Sequence, residues 1–157
     1  MSAARIWLAG EADAAHVTRL LRGFRDWWGY ASPPDDALAR GVERLLGDEN
    51  TDFLLGAADG ATSPAGVCAL RYRYGVWLDG IDCCLEDLFV EESARGSGLG
   101  AQLVQAAIER ARERGSRRME LDVNDANEPA RRLYERFGFS SHVPELGADN
   151  RFMRLRL

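Results

Sequence analysis

The stretch VEESARGSGLG, residues 90–100, sets glycine at positions 96, 98 and 100, directly behind Arg95. The apolar run CLEDLFV leads into it, and the pattern AQLVQAAIERARERG, with helical periodicity, leads out. A strand must therefore hand over to a helix through a turn stripped of side chains. Glycine reaches backbone conformations closed to other residues and lets a second group approach the main chain. A helix that starts from such a turn offers first-turn amides with no intrahelical acceptor, at the positive end of its dipole. That combination is a seat for an anion such as a phosphate or pyrophosphate, and Arg95 can add a charged donor from its rim.

Hydrophobic periodicity supplies the rest of the framework. RIWLA (5–9) reads as a strand. Asp13 can cap a helix that aligns Val17, Leu20, Leu21, Phe24 and Trp28, and YASPPDD breaks it. A second helix aligns Leu38, Val42, Leu45 and Leu46. FLLGAA (53–58), AGVCALRYRY (65–74) and CLEDLFV read as strands, with GVWLDG as a loop. The helix after the glycines places Gly100, Leu103, Val104, Ala107, Ile108 and Ala111 on one stripe and stops at Gly115. RRMELDV (117–123) is the next strand. EPARRLYERFG has proline in its first turn and glycine just past its end, as helices prefer. FMRLRL (152–157) alternates like a closing strand. The resulting order is β-α-α-β-β-β-α-β-α-β-β. The expected fold is a single mixed α/β domain over residues 1–157. At 157 residues a chain can bury roughly 68–70% of its unfolded surface without metal or disulfide staples.

Several ligand classes fall away. No Lys-Ser/Thr pair follows the glycines, so this is not a P-loop. GSGLGA does satisfy GxGxxA from Gly96, and Glu120 lies near the distance of a ribose carboxylate, as in dinucleotide-binding domains. However, two helices and three strands precede this strand, only 57 residues follow Gly100, and Glu120 lies inside a strand rather than at its end. The net charge of −5 disfavours nucleic acid and anionic membrane surfaces as partners. No apolar run approaches a membrane span, and the N-terminal stretch lacks the layout of a signal peptide. Cys68, Cys83 and Cys84 form no CxxC pair or even framework, which suits a reduced, cytoplasmic protein. His16 and His142 have no cysteine or carboxylate at ligand spacing, so no metal is expected.

RGSGLG also reads as Arg-x-x-Gly-x-Gly between a strand and a long helix. Further on, NDANEPARRLYERFGF carries Asn127, Ala130, Tyr134 and the pair Gly138–Phe139 in order. Together these resemble the GCN5-related N-acetyltransferase family, with the specific part running from about Leu85 to Phe139. The resemblance implies acetyl-CoA as cosubstrate. Its pyrophosphate would lie on the amides of Gly96, Ser97, Gly98, Leu99, Gly100 and Ala101, and its pantetheine would run beside Leu88, Phe89 and Val90. Asn127, Pro129 and Ala130 would be further contacts, and by analogy the protein would be a homodimer. The run AGVCALRYRYGVWLDGIDCCLEDLFV, with NEP before the tyrosine helix, resembles diamine (spermidine/spermine-type) N-acetyltransferases more closely. The sequence departs from that subfamily around Trp77, at Gly75 and after GFSSHVPELG.

Acetyl transfer to an amine needs the two reactants held together, a base for the ammonium proton, and a proton for the leaving thiolate. The resemblance casts Tyr134 as the acid, seven residues after Asn127; its spacing also fits plain core packing. Glu86 is the base by the same resemblance, directly or through water, with Asp87 as a helper. In a regular strand adjacent residues face opposite sides, so without a bulge only one of the two carboxylates can reach the amine. Trp27, Trp28 and Trp77 are candidate walls for a cationic small-molecule amine, since an ammonium is attracted to an indole face. Asp26, Asp35 and Asp36 would add charge. A non-catalytic acyl-CoA-binding sensor of the same fold is the alternative, and the presence of both Glu86 and Tyr134 speaks against it.

Overall fold

The apolar stripes fold as their spacing dictates. In the computed structural model, which describes residues 3–157, helix α1 (Ala14–Trp27) buries Val17 and Leu20 completely, and Leu21 and Phe24 pack against them. Asp13 stands at its N-cap, but its carboxylate accepts the Gly10 amide at 3.0 Å instead of capping the first turn. Helix α2 (Asp35–Leu46) buries Val42. Strands β1 (Arg5–Leu8), β2 (Thr51–Ala57), β3 (Gly66–Gly75), β4 (Gly80–Val90) and β5 (Ser116–Glu120) form one sheet in that spatial order. The pairs β1–β2, β2–β3 and β3–β4 are antiparallel. Helix α3 (Leu99–Glu113) joins β4 to β5.

Apart from Glu120 at the end of β5, these elements belong to the first of two compact units, which runs to Met119. Its sheet is covered on both faces. Phe53, Leu55, Val67, Ala69 and Phe89 meet Val17, Leu20 and Val42 of α1 and α2. The alternate positions face α3, whose Leu99, Leu103, Val104, Ala107 and Ala111 are buried. Gly56 and Gly66, paired across β2 and β3, are the floor for its first turns. A Cβ at Gly56 would stand 2.8 Å from Leu99, and one at Gly66 2.7 Å from Leu103. Two missing side chains thus let the start of α3 lie close on the sheet.

The β3–β4 ladder contains a break. Ala69 pairs with Asp87 while Leu70 pairs with Leu85, so Glu86 is the extra residue of a β-bulge. A bulge re-aims side chains, and this one does so where the sequence left two carboxylates competing for one face.

The second unit, from Glu120 on, contains α4 (Glu128–Arg136) and a hairpin of β6 (His142–Val143) and β7 (Ala148–Asp149). Gly138 follows α4 with a left-handed φ of +93°. Several boundaries differ from expectation; β4 begins at Gly80, ahead of the expected Cys84, and β2 at Thr51, ahead of Phe53. The strand expected over 117–123 ends at Glu120, and FMRLRL forms no strand. Residues 150–157 are all exposed, Phe152 at 64% and Leu155 at 82% included. Alternation makes a strand only where a neighbour pairs its backbone and a core covers one face. The closing pair of strands lies earlier, at 142–143 and 148–149.

Candidate active site

The glycine turn is a backbone device. Gly96 (φ +77°) and Gly98 (φ +86°) are both left-handed, and Gly98 is the N-cap of α3. The Ser97 hydroxyl ties the turn by donating to the Ala94 carbonyl at 2.6 Å. The first helical bond runs from the Gln102 amide to the Gly98 carbonyl at 3.1 Å. The amides of Leu99, Gly100 and Ala101 therefore have no intrahelical acceptor, and that of Leu99 leans only on the Ser97 hydroxyl oxygen at 3.4 Å. A Cβ at Gly96 would meet nothing within 4 Å, and one at Gly98 only the Gln102 side chain at 3.9 Å. The conformation favours glycine, and the space above it is open. This cradle fits the phosphates of acetyl-CoA.

Arg95, expected at the rim, donates its Nε–H to the Val90 carbonyl at 3.0 Å. Its guanidinium lies over the rings of Trp27, 5.3 Å from the centroid, and Phe89, 5.8 Å away. Phe89 stacks on Phe24 at 5.4 Å, so the end of β4 is fastened to α1. Leu88 and Val90 flank it, half-buried.

Both carboxylates lie on the α1/α2 face. Asp87 pairs with Ala69 of that face, and the Glu86 carboxylate stands 3.6 Å from Arg71, two residues from Ala69 on the same side. The bulge thus resolves the conflict that regular alternation posed. Sequence reading missed Arg71 and its second partner, Asp48, at 3.5 Å. Their pairing joins three separate chain segments, and no local pattern signals it.

The aromatic residues divide. Trp27 meets Trp28 edge-on at 4.7 Å, and Trp28 stacks on Tyr30 at 6.4 Å. Trp27 is 46% exposed beside Arg95. Trp77 is 99% exposed at the tip of the β3–β4 hairpin and joins none of these ring contacts. The aspartates of the α1–α2 segment are ion-paired. Arg25 binds Asp26 and Asp35 at 2.8 Å, Arg22 lies 3.8 Å from Asp35, and Arg40 binds Asp36 at 2.7 Å.

In the second unit Tyr134 is buried on α4 and meets Phe139 edge-on at 5.9 Å. Asn127 is the N-cap of that helix, Pro129 lies in its first turn, and Ala130 is half-buried. Burial pushes the thiol of Cys83 up to about 12 and that of Cys68 higher still, so neither is a nucleophile at neutral pH. Among the described residues no group of three or more His, Cys, Asp or Glu side chains could hold a metal, and no helix is long and apolar enough to cross a membrane.

Comparison with known proteins agrees with this fold. The sequence model of the acetyltransferase (GNAT) family matches residues 16–139. Streptothricin acetyltransferase of Streptomyces lavendulae is 34% identical over 109 residues, covering 68% of this chain and 54% of that protein. Thialysine N-epsilon-acetyltransferase of Sus scrofa is 28% identical over 149 residues, covering 88% and 85%. A solved structure from Arthrobacter sp. FB24, assigned to the acetyltransferases, superposes with a TM-score of 0.84 at 32% identity, covering 98% of this chain and 95% of that one. The chain spans little more than half the length of several curated relatives it matches.

Proposed function

The chain belongs to the acetyltransferase (GNAT) family, and from that premise we propose that it is an N-acetyltransferase, one domain over residues 1–157, that moves an acetyl group from acetyl-CoA directly to the primary amine of a small cationic molecule. The observation that carries the reading is the open, left-handed Gly96–Gly98 turn at the start of α3, one strand-end away from a bulge that turns two carboxylates to one face. Acetyl-CoA supplies the activated acetyl group as a thioester. The amides of residues 99–101 and Arg95 hold its phosphates, Leu88, Phe89 and Val90 line its pantetheine, and Asn127, Pro129 and Ala130 add contacts.

An alkylammonium near the pKa of lysine, about 10.4, must lose a proton before it attacks. Glu86 receives that proton, directly or through water, with Asp87 beside it. Tyr134 returns a proton to the departing sulfur. The new bond is N–C, the broken one is C–S, and the products are an amide and a free thiol. Diamines and polyamines are the acceptors to test first. Trp27, with an exposed ring, is the aromatic wall best supported for such a cation, and Trp28 backs it. The similarity to an enzyme named for thialysine at its Nε supports an aliphatic amine. By family analogy the enzyme is a homodimer.

Release of free thiol from acetyl-CoA, assayed across a panel of amines, tests the reading. Amine-dependent release is expected. A protein that binds acetyl-CoA yet releases no thiol with any amine would instead be an acyl-CoA sensor.

A further inference from the structure

Arg71 lies in the middle of the sheet, its backbone paired with Thr51 of β2 and Cys84 of β4. Its guanidinium is divided between two carboxylates, with Nη1 3.6 Å from Glu86 Oε2 and Nη2 3.5 Å from Asp48 Oδ2. Both distances exceed the 2.7–3.2 Å of a made hydrogen bond. Its Nε is shielded from solvent and has no acceptor among the described residues.

Asp48 is the fixed end. It sits in the turn between α2 and β2, where its Oδ2 accepts the Thr51 hydroxyl at 2.7 Å and its Oδ1 the Asn50 amide at 3.1 Å. The Thr51 bond, then the Asn50 bond, hold its carboxyl below the usual carboxylate range. Asp48 is thus an anchored anion that keeps Arg71 from closing on Glu86. Glu86, its side chain 48% exposed, is steered without having its oxygens capped. With Arg44 also acting on Asp48 and Asp87 on the same face, two guanidiniums stand against three carboxylates, which leaves one negative charge in excess and suits an incoming ammonium.

We propose that Arg71, held back by Asp48, is a positioning residue for the acceptor amine. It aims the Glu86 carboxylate while leaving it free to take a proton, and the trio selects cationic over anionic acceptors. The inference rests on Glu86 being the group that receives the acceptor's proton.

The test is a set of partly exposed positions whose replacement leaves the core intact, checked by thermal melting. Arg71→Met removes the steering cation and makes the site more negative. The kcat with the best diamine should fall roughly tenfold, while the diamine's Kd, measured calorimetrically with CoA present, falls about threefold. Arg71→Lys should restore part of kcat. Asp48→Asn lets Arg71 close on Glu86 and should raise that Kd about threefold. A loss of packing alone would not move kcat and affinity in opposite senses. In a Glu86→Gln background, Arg71→Met should change kcat by less than about twofold, because the steered group is gone. The same Arg71→Met loss in both backgrounds would overturn the positioning role and leave Glu86 as the base. A Glu86→Gln enzyme with unchanged kcat would overturn both.

Discussion

The glycine turn and the bulge face are built from different materials. Residues 95–101 make their seat from backbone: two left-handed glycines, three amides without intrahelical acceptors, and a glycine floor that lets α3 settle on the sheet. The face around Glu86 is made of side chains from β3, β4 and the α2–β2 turn, held by ion pairs at 3.5–3.6 Å. The first arrangement is fixed by backbone conformation, with φ of +77° at Gly96 and +86° at Gly98. The second depends on which charged groups the fold happens to bring together. Arg95 links the turn to α1 by lying over Trp27. Binding of the acyl donor should therefore respond to backbone changes, and turnover to side-chain changes, with little crossover.

The largest effect expected is on chemistry. Tyr134→Phe keeps a buried ring and its contact with Phe139 but deletes the hydroxyl. If that hydroxyl protonates the leaving sulfur, kcat falls roughly 10²-fold or more, with acetyl-CoA affinity retained. Steady-state kinetics and calorimetry on one preparation check both halves. A wild-type kcat would return Tyr134 to core packing, and a parallel loss of affinity would break the division between binding and turnover.

Next comes the cradle itself. Gly98→Val would place a branched side chain in the cradle, but at φ +86° it would also strain the backbone. Gly98→Asn separates the effects, since asparagine tolerates the left-handed region and still fills the space. Acetyl-CoA binding to this variant should weaken at least tenfold, about 1.4 kcal/mol, with kcat at saturation little changed. Unaltered affinity in a folded variant would remove the backbone seat. Gly66→Ala tests the floor rather than the cradle. Its Cβ would crowd the ends of Leu103 and Leu99, which can shift. It should cost about 1–3 kcal/mol of stability and leave acetyl-CoA affinity within about threefold.

The same contrast explains what could be read in advance. The turn was legible because a left-handed backbone before a helix leaves a local mark, glycine at alternate positions. The stripes of α1 and α3 and the element order were legible for the same reason, since burial writes a period into neighbouring residues. The bulge at Glu86 left no mark, because it is a matter of register between β3 and β4. Nor did the Asp48–Arg71–Glu86 chain, whose members lie far apart in sequence. The tail 152–157 shows the converse error: alternation was present, but nothing paired it.

The smallest effect concerns the α1–α2 aspartates, which the sequence presents as an acidic cluster. Arg22, Arg25 and Arg40 pair with Asp26, Asp35 and Asp36, so three positive charges face three negative ones and the segment is close to neutral. The Arg40–Asp36 pair is exposed on both sides, and such pairs contribute about 0–1 kcal/mol; Arg25 is 13% exposed, and its pairs with Asp26 and Asp35 occupy those carboxylates. An approaching dication therefore gains little from them. Asp35→Asn should change kcat/KM for spermidine by less than about threefold. Preference for spermidine and putrescine over butylamine and glutamate should survive in the variant, because its source is the excess negative charge of Glu86, Asp87 and Asp48 over Arg71 and Arg44. That preference should also weaken as added salt screens the site. A tenfold fall for spermidine alone in Asp35→Asn, with butylamine unaffected, would mean that the acceptor displaces Arg25 and meets the aspartate directly. The α1–α2 segment would then join the bulge face as part of the acceptor site.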